Sequence, residues 1–279
     1  MKITILGASG FVGTHLKRTL HERGDEIVEA SLRDPAAAAL AAHECDAIVN
    51  LAGEPLGQRW NAKVKQRIEE SRVEQPHRFL EALAQHQRRC SIYVSASAVG
   101  YYGTSETETF VEDSAPGDDF LARVCFGWEH EARRAADLGM RVGIVRSGFA
   151  LGNDGGALPK MLPPFRAGMG GVVGNGRQWI SWVHIDDLVR IYLMALDRVD
   201  GALNGCAPNP ATNATFTHAL GEALHRPTKV HVPTFALRAM LGEGADILLR
   251  GQRVLPQRVL QLGYEFEFPE LTATLANLL

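Results

Sequence analysis

The chain has few cysteines, and they lie far apart. Only four of its 279 residues are cysteine, and no two have the short spacing used by zinc sites and redox motifs. The four are Cys45, Cys90, Cys125 and Cys206. This scarcity argues against a disulfide framework and against a metal site. It favours a reducing compartment, and we therefore expect a cytoplasmic protein.

Long apolar runs and a strong excess of one charge are also missing. No stretch reaches the roughly 18–20 apolar residues that cross a bilayer, and a strand-like run at the very start leaves no room for a signal peptide. The formal net charge is −3, so we expect neither nucleic acid nor an anionic membrane as a partner. With 46% hydrophobic residues the chain can bury a full core, which predicts one main domain with an appended lobe. The oligomeric state is left open.

The start of the chain carries the most informative pattern. The apolar run Ile3–Leu6 leads directly into a glycine-rich turn, and an amphipathic helix with Leu16 and Leu20 on one face follows. A strand, an unobstructed turn and a helix N-terminus form the phosphate-binding unit of dinucleotide-binding folds, because main-chain N–H groups there approach a pyrophosphate. We therefore predict a dinucleotide site that includes Gly7, Ser9, Gly10, Phe11, Val12 and Gly13.

Short apolar runs alternate with helical patterns through the first two-thirds of the chain. The predicted strands are Ile3–Leu6, Glu26–Ala30, Ala47–Leu51, Ile92–Ala96 and Val142–Arg146. The predicted helices between them are Phe11–Glu22, Ala36–Ala42, Lys63–Gln85 and Phe120–Asp137. This alternation indicates an α/β fold, a Rossmann-like doubly wound parallel sheet that binds its ligand at the carboxyl ends of its strands.

The end of the second predicted strand favours NADP(H). An NAD site usually has an acidic residue there for the ribose 2′-hydroxyl. Here the chain runs through Ser31 and Leu32 to Arg33, and an arginine suits a 2′-phosphate because it forms paired, charged hydrogen bonds. The alternative is that Arg33 is simply solvated. At the end of the third strand, Leu51 is followed by the small residues Ala52 and Gly53, which let the adenine–ribose side lie against the backbone. Arg72 either reaches the cofactor or is solvated.

The pattern changes after Arg146. Residues 152–176 are rich in glycine and proline and predict a substrate loop inserted into an NADP-binding domain of residues 1–205. Residues 206–279 lack the βα rhythm and predict a smaller, mainly helical lobe that covers the ligand edge. The predicted elements of this half are a strand-like run Trp179–His184 and helices Asp186–Leu196, Thr215–Leu224, Phe235–Leu241 and Pro269–Leu278.

Together these motifs resemble the extended short-chain dehydrogenase/reductase superfamily. Within its epimerase-like branch, the chain is similar to the atypical epimerase family proteins, which have a distinctive C-terminal domain. The similar segments span nearly the whole length: Gly7–Gly13, Asn50–Glu54, Arg59-Trp60, Ser71–Val73, Ser95–Gly103, Cys125, Trp128-Glu129, Arg146–Gly148, Ser181–Asp187, Asn204–Asn213, Leu249–Pro256 and Phe266–Pro269. The resemblance implies bound NADP(H), with Ser31 to Arg33, Leu51, Ala52 and Arg72 near it. Ser95 is included in this predicted cofactor set.

The same resemblance exposes a departure in the catalytic machinery. The superfamily pairs a serine or threonine with a Tyr-x-x-x-Lys motif, whose lysine binds the ribose and lowers the tyrosine's pKa. Ser97 stands at the serine position, but none of the five tyrosines is followed four residues later by lysine, and Cys125 and Glu129 stand in the matching places. A carboxylate beside a thiol disfavours the thiolate, so a small buried hydrophobe is the alternative reading of Cys125.

Two functions follow as alternatives. The first is an NADP(H)-dependent oxidoreductase or epimerase acting on a small carbonyl or nucleotide-sugar substrate, with Ser97, Tyr101, Tyr102 and Glu129 as candidate catalytic residues. The second is a catalytically inactive NADP(H)-binding redox or ligand sensor that has lost the tyrosine–lysine pair. The histidine–aspartate run at His184 lacks further metal ligands at suitable spacing, and we expect Asp186 or Asp187 to cap the helix that begins there.

Overall fold

A computed structural model describes all 279 residues of the chain. The strands are β1 Lys2–Leu6, β2 Glu26–Ala30, β3 Ala47–Asn50, β4 Ile92–Ala98, β5 Thr109–Phe110, β6 Arg141–Ser147, β7 Phe149–Leu151, β8 Gly171–Val173, β9 Trp179–Ile180, β10 Trp182–His184, β11 Gly201–Gly205, β12 Ala211–Thr212, β13 Val230–Val232 and β14 Arg253–Val254. The α-helices are α1 Phe11–Glu22, α2 Pro35–Ala42, α3 Ala62–Arg72, α4 Glu74–Ala84, α5 Phe120–Arg133, α6 Leu158–Arg166, α7 Ile185–Arg198, α8 Asn213–Ala223, α9 Thr234–Leu241, α10 Asp246–Leu249, α11 Gln257–Gln261 and α12 Leu271–Leu278. Three short 3₁₀ segments are Val99–Tyr102, Arg134–Leu138 and Glu243–Ala245.

The predicted parallel sheet is present. Six strands form one sheet in the order β11-β6-β4-β3-β1-β2, and every neighbouring pair is parallel. The chain builds outward from β1 in both directions, so the strand order reverses between β1 and β3. A crevice opens at that point outside the carboxyl ends of the strands, which is where doubly wound folds bind their ligands.

Both faces of the sheet are covered by helices, which explains why the inner strands β1, β3 and β4 are almost entirely buried. On one face, α1 and α7 bury Leu16, Leu20 and Ile191 against β1 and β4. On the other, α2 and α4 contribute a second cluster that includes Phe79 and Leu80. No helix combines the length and apolarity that crossing a membrane requires.

The prediction of one long helix over Lys63–Gln85 was wrong. The structure has two helices, α3 and α4, separated at Val73, where φ is −113° and ψ is −62°. Pro76 explains the break: within a continuous helix it would offer no N–H to the carbonyl of Arg72, and its ring would clash with that carbonyl. The predicted helix Phe120–Asp137 similarly ends as α5 at Arg133 and continues as a 3₁₀ segment.

Residues 152–176 are more ordered than a loop. They contain α6 and β8, and Pro163 and Pro164 lie inside α6. The strand-like run Trp179–His184 is divided at Ser181, because β9 pairs antiparallel with β12 whereas β10 pairs parallel with β7.

A third apolar cluster joins residues from both sides of the predicted domain boundary. It combines Leu158 and Leu162 of α6 and Trp182 of β10 with Phe216 of α8 and Leu275 of α12. The C-terminal helices therefore pack on the segment that the sequence placed in the first domain. The division into residues 1–205 and 206–279 stays a prediction.

Candidate functional site

A cleft of about 680 Å³ opens at the carboxyl edge of the sheet, around the reversal between β1 and β3. Its walls come from the turn after β1, the ends of β2 and β3, and the facing side of α3 and α4. Nine of the residues predicted to bind a cofactor line it: Gly7, Ser9, Gly10, Ser31, Leu32, Arg33, Leu51, Ala52 and Gly53.

The glycines of the first turn are required by close packing. Gly7 has a φ of +84°, and a Cβ there would lie 2.9 Å from the main-chain nitrogen of Ala52. A Cβ on Gly13 would lie 2.5 Å from the carbonyl oxygen of Gly7. Gly10 is the N-cap of α1, and no side chain caps that helix. The main-chain N–H groups of its first turn are therefore left for another acceptor, as in a site for a phosphate.

Arg33 lies exposed on the rim of the cleft. The two acidic residues that flank it in sequence are engaged elsewhere: Asp34 accepts a hydrogen bond from the main-chain N–H of Ala37, and Glu29 pairs with Lys17 at 2.8 Å. Leu32 is 2% exposed and anchors this short segment in the core. The guanidinium of Arg33 is thus presented at the end of β2 without an acidic partner.

Arg72 lies behind the cleft wall. Its guanidinium donates hydrogen bonds to the carbonyl oxygens of Ile68 and Glu54 and to the hydroxyl of Ser71, and it leaves no room for a Cβ on Gly53. Burial lowers its pKa. It is therefore not the solvated surface residue that was the alternative. The neighbouring Trp128 ring lies 5.1 Å from Arg72 Cζ, and the buried indole N–H of Trp128 has no hydrogen-bond partner.

Four other predicted cofactor residues do not line the cleft with their side chains. The ring of Phe11 and the side chain of Val12 pack toward the core, and Gly13 faces the turn. The buried hydroxyl of Ser95 donates to the carbonyl oxygen of Ala96. For these residues only the main chain, or an indirect packing role, fits a cofactor site.

The cleft also includes residues that the sequence patterns did not indicate. Arg67, Glu70 and Ser71 of α3 and Gln75 of α4 form the wall opposite the end of β2. Arg67 Nε lies 3.1 Å from Glu54 Oε1. A hydrogen bond from the Gln58 side-chain amide lowers the pKa of Glu54, and the charge of Arg67 lowers it further. The spacing of Arg67 and Ser71 places both side chains on one face of α3. Gln75 lies beyond the break at Val73, so the sequence pattern did not indicate the whole wall.

The four candidate catalytic residues lie close together around Arg146. Ser97 on β4, Arg146 on β6 and Asn204 on β11 are register partners in neighbouring strands, and Glu129 of α5 contacts this row. The Ser97 hydroxyl donates to Glu129 Oε1 at 2.8 Å. The Tyr102 hydroxyl donates to Asn204 Oδ1 at 2.7 Å.

Glu129 is fully buried and fully hydrogen bonded. Oε1 accepts from Ser97 and from Arg146 Nε, and Oε2 accepts from Arg146 Nη2 and from Arg133 Nη2 at 2.9 Å. Each oxygen therefore has two donors, which uses the lone pairs of the carboxylate. Burial by itself would lower the pKa of Arg146, but the hydrogen bonds and charge of Glu129 raise it above its usual value. The arrangement is that of a buried ion pair rather than of an available acid or base.

The two tyrosines of the 3₁₀ segment differ in how their hydroxyls are used. Tyr102 also accepts a hydrogen bond from Arg146 Nη1 at 2.8 Å, and burial raises its pKa. Tyr101 makes no hydrogen bond through its hydroxyl within the chain, and its ring centroid lies 3.6 Å from Arg146 Cζ. Of the four candidates, Tyr101 therefore has the hydroxyl that is free to contact another molecule.

Cys125 is a buried neutral thiol. Burial raises its pKa to about 12, and the negative charge of Glu129 acts in the same direction. Since the thiolate is the nucleophile, this environment makes a poor one.

The expectation that Asp186 or Asp187 caps α7 was wrong. His184 is the N-cap, and its Nδ1 accepts from the main-chain N–H of Asp186 at 3.1 Å. Asp187 is instead buried, and it accepts hydrogen bonds from the Tyr264 hydroxyl and from the main-chain N–H groups of Glu267 and Phe268. It therefore attaches the C-terminal segment to the domain.

Two family models match the chain. Residues 3–207 match the NAD dependent epimerase/dehydratase family, and residues 232–278 match a domain of unknown function, DUF1731. The human epimerase family protein SDR39U1 is 40% identical over 294 residues, which covers 100% of this chain and 99% of the human protein.

Solved structures agree with this relationship. A crystal structure of human SDR39U1 (isoform 2) with NADPH has a TM-score of 0.92 and 38% identity, and the match covers 100% of this chain and 99% of the other. A nucleoside-diphosphate sugar epimerase from Corynebacterium glutamicum has a TM-score of 0.80 and 33% identity, with 100% of this chain and 58% of the other covered. Thermotoga maritima UDP-glucose 4-epimerase with UDP-glucose has a TM-score of 0.80, 17% identity and coverage of 99% and 97%, which shows a shared fold. The chain therefore belongs to the NAD dependent epimerase/dehydratase family and carries the DUF1731 domain at its C-terminal end.

Proposed function

We propose that the chain binds NADP(H) in the cleft at the carboxyl edge of the sheet and acts as an oxidoreductase or epimerase on a small carbonyl or nucleotide-sugar substrate. The family is NAD dependent by description, and the human relative was crystallised with NADPH. The nucleotide-sugar option is supported by the name of the Corynebacterium glutamicum relative.

The residues present fit a phosphorylated dinucleotide. The uncapped N-terminus of α1 and the turn Gly7–Gly13 would hold the pyrophosphate through main-chain N–H groups. Ala52 and Gly53 would lie beside the adenine–ribose side, with Arg72 supporting the wall from behind. A side chain at Gly7 or Gly13 would fill the space that the turn needs.

The preference for the 2′-phosphate depends on Arg33. This guanidinium is exposed on the rim of the cleft, its acidic neighbours are occupied by other partners, and Ser31 is beside it. This is the single observation that carries the proposal of NADP(H) rather than NAD(H). A charged hydrogen bond contributes about 1.5–3 kcal/mol, which corresponds to roughly 10- to 150-fold in affinity.

Bound NADP(H) would supply hydride transfer at its nicotinamide. The protein must then move a proton at the substrate oxygen, and Tyr101 is the group that we assign to this role. Its hydroxyl has no partner in the chain, so it is free to contact a substrate oxygen, and the Arg146 guanidinium packs on its ring with Cζ 3.6 Å from the ring centroid. The Ser97 hydroxyl donates to Glu129, and Glu129 accepts from Arg146, so both residues would support this arrangement from within the protein.

The other candidate function is a catalytically inactive NADP(H)-binding sensor. The observation that favours it is the use of Glu129 in a buried ion pair, together with the unreactive thiol of Cys125. In this case the cleft would bind NADP(H) and Tyr101 would pack without touching a substrate.

We also assign the substrate side to residues 152–176 and the C-terminal lobe 206–279, which share one apolar cluster. Four free, buried cysteines support a reducing location, for which the cytoplasm is our proposal.

Isotope transfer distinguishes the two functions. NADPH labelled with deuterium at either face of C4 is incubated with a panel of carbonyl compounds, and interconversion of nucleotide sugars with bound cofactor is followed by NMR. Label in a product, or an epimerised sugar, supports the enzyme, and Tyr101→Phe is expected to slow either reaction by about 10²- to 10⁴-fold. Tight NADPH binding without any turnover across both panels supports the sensor. No binding of NADPH would contradict both.

A further inference from the structure

The ring of Phe11 is held by three glycines of the segment after β7. A Cβ on Gly152 would lie 2.5 Å from Phe11 Cζ, and one on Gly156 would lie 2.9 Å from Phe11 Cε1. Gly155 is crowded by the same ring. Three glycines that all face one aromatic ring form a cradle of main chain, and no other residue type at these positions leaves the ring in place.

A second contact joins the same two elements one helical turn later. His15 Nε2 lies 3.0 Å from both carboxylate oxygens of Asp154, and Arg18 Nη2 lies 3.2 Å from His15 Nδ1. Because arginine only donates, Nδ1 accepts and the hydrogen is on Nε2, which donates to Asp154. His15 is 7% exposed, and its ring meets the Phe11 ring edge to face at 5.3 Å. Phe11 and His15 of α1 thus both contact the same five-residue segment, 152–156.

Segment 152–156 lies between helix α1, beside the cleft, and the C-terminal helices. At its upstream end it leaves β7, and Leu151 forms a bridge with Gly156 that closes it into a compact loop. Downstream it enters α6, whose Leu158 and Leu162 belong to the third apolar cluster with the C-terminal helices. On the cofactor side of these contacts, α1 begins at Phe11, immediately after Gly10, which lines the cleft.

We propose that Phe11, His15 and Asp154 are positioning residues that couple the dinucleotide cleft to the substrate side. A ligand that orders the first turn of α1 stabilises these contacts with segment 152–156, and through α6 it orders the C-terminal helices on the substrate side. The coupling is reciprocal, since a ligand can favour only the state that it binds better. This inference rests on the proposed function, because it takes NADPH as the ligand of the cleft.

Hydrogen exchange measured by mass spectrometry tests the coupling on the whole chain. In the unsubstituted protein, saturating NADPH is expected to slow exchange in residues 29–33, beside the cleft, and in residues 152–157 by about fivefold or more. In Asp154→Ala the effect at 152–157 is expected to fall below about twofold, while the effect at 29–33 persists. Phe11→Leu, which keeps an apolar side chain but cannot fill the cradle, serves as the second variant, and His21→Ala on the exposed face of α1 is the matched control.

The outcomes separate the two proposals. Equal protection of 152–157 in the unsubstituted protein and in both variants overturns the coupling, as does protection confined to 29–33 in the unsubstituted protein. Absence of protection at both segments refutes NADPH binding itself and with it the inference. Loss of protection in His21→Ala as well would show a general effect of altering α1 and would also overturn the assignment.

Discussion

The guanidinium of Arg146 forms a two-pronged ion pair with Glu129, with Nε at 2.7 Å from Oε1 and Nη2 at 2.9 Å from Oε2. Both side chains are almost completely buried, at 3% and 0% exposure. Glu129 occupies the place where the superfamily resemblance puts a lysine, so the position has changed sign. A positive charge is still present beside Glu129, because the guanidinium of Arg146, on β6, packs against the ring of Tyr101.

The ion pair predicts a large loss of stability in Glu129→Gln. The substitution keeps the shape but leaves the Arg146 charge buried without a carboxylate, and breaking a buried pair typically costs about 3–5 kcal/mol. Urea denaturation of both proteins at pH 7 measures the difference. Glu22→Gln, at an exposed position of α1, is the control and should change stability by less than about 0.5 kcal/mol. A loss below about 1 kcal/mol in Glu129→Gln would show that the pair is not needed.

Loss of the hydroxyl should affect stability at Tyr102 and activity at Tyr101. Tyr102→Phe removes the group that links Arg146 to Asn204 and should cost about 1–3 kcal/mol in the free energy of unfolding. Tyr101→Phe removes a hydroxyl without a partner in the chain and should cost less than about 0.5 kcal/mol. For any turnover detected, however, Tyr101→Phe should lower kcat by about 10²- to 10⁴-fold. Unchanged kcat in Tyr101→Phe would remove this tyrosine from the chemistry.

Arg33→Ala should weaken NADPH binding by about 10- to 150-fold and leave the weaker binding of NADH within about twofold. The reason is that only NADPH carries the 2′-phosphate that this guanidinium would contact. Fluorescence titration at constant ionic strength measures both affinities. Arg226→Ala, an exposed arginine of the C-terminal half, controls for the change in net charge. Equal weakening of both coenzymes by Arg33→Ala would show that Arg33 does not distinguish them.

His184 predicts a loss of stability on acidification. Burial lowers its pKa below the ordinary value of 6.5, although the carboxylate of Asp186, 3.7 Å away, and those of Asp187 and Glu267 oppose this. A lowered folded-state pKa means that the unfolded chain binds the proton first. The contribution of neutral His184 to the stability of the folded state is therefore fully present above pH 6.5. It is lost as the pH falls toward the folded-state pKa, and the free energy of unfolding then decreases with a slope approaching about 1.4 kcal/mol per pH unit.

His184→Asn isolates this contribution, because asparagine also caps helices but does not titrate. The variant loses the stacking on Phe268, so its stability at pH 8 is expected to be lower. Its free energy of unfolding should nevertheless fall less steeply than that of the unsubstituted protein between pH 6.5 and 5. Parallel pH profiles from urea denaturation would contradict this assignment.

The local patterns of the chain were enough to predict the first half of the fold. Strand β2 and helix α1 begin and end at the predicted residues, and β1, β3, β4 and β6 differ by one or two residues at their ends. These elements are defined by buried apolar runs and by turns that only glycine permits, and both are properties of neighbouring residues. The break at Val73 was missed because the sequence does not say whether Pro76 lies in the first turn of a new helix or ends the preceding one.

The site divides in the same way. Nine of the predicted cofactor residues line one cleft because the turns after β1, β2 and β3 must meet at one edge of a parallel sheet. The wall formed by Arg67, Glu70, Ser71 and Gln75 depends on how α3 and α4 pack, and short-range patterns do not specify it.

The sequence by itself determined the class of fold, the glycine-rich turn after β1 and the missing tyrosine–lysine motif, because each depends on residues close together along the chain. Only the tertiary structure decided what Glu129, Tyr101 and Phe11 contact. Their partners Arg146 and Gly152–Gly156 lie on other elements, and strand register and helix packing bring them into contact. The charge of a side chain can be read from its letter, but whether that charge is neutralised depends on which distant residue lies against it.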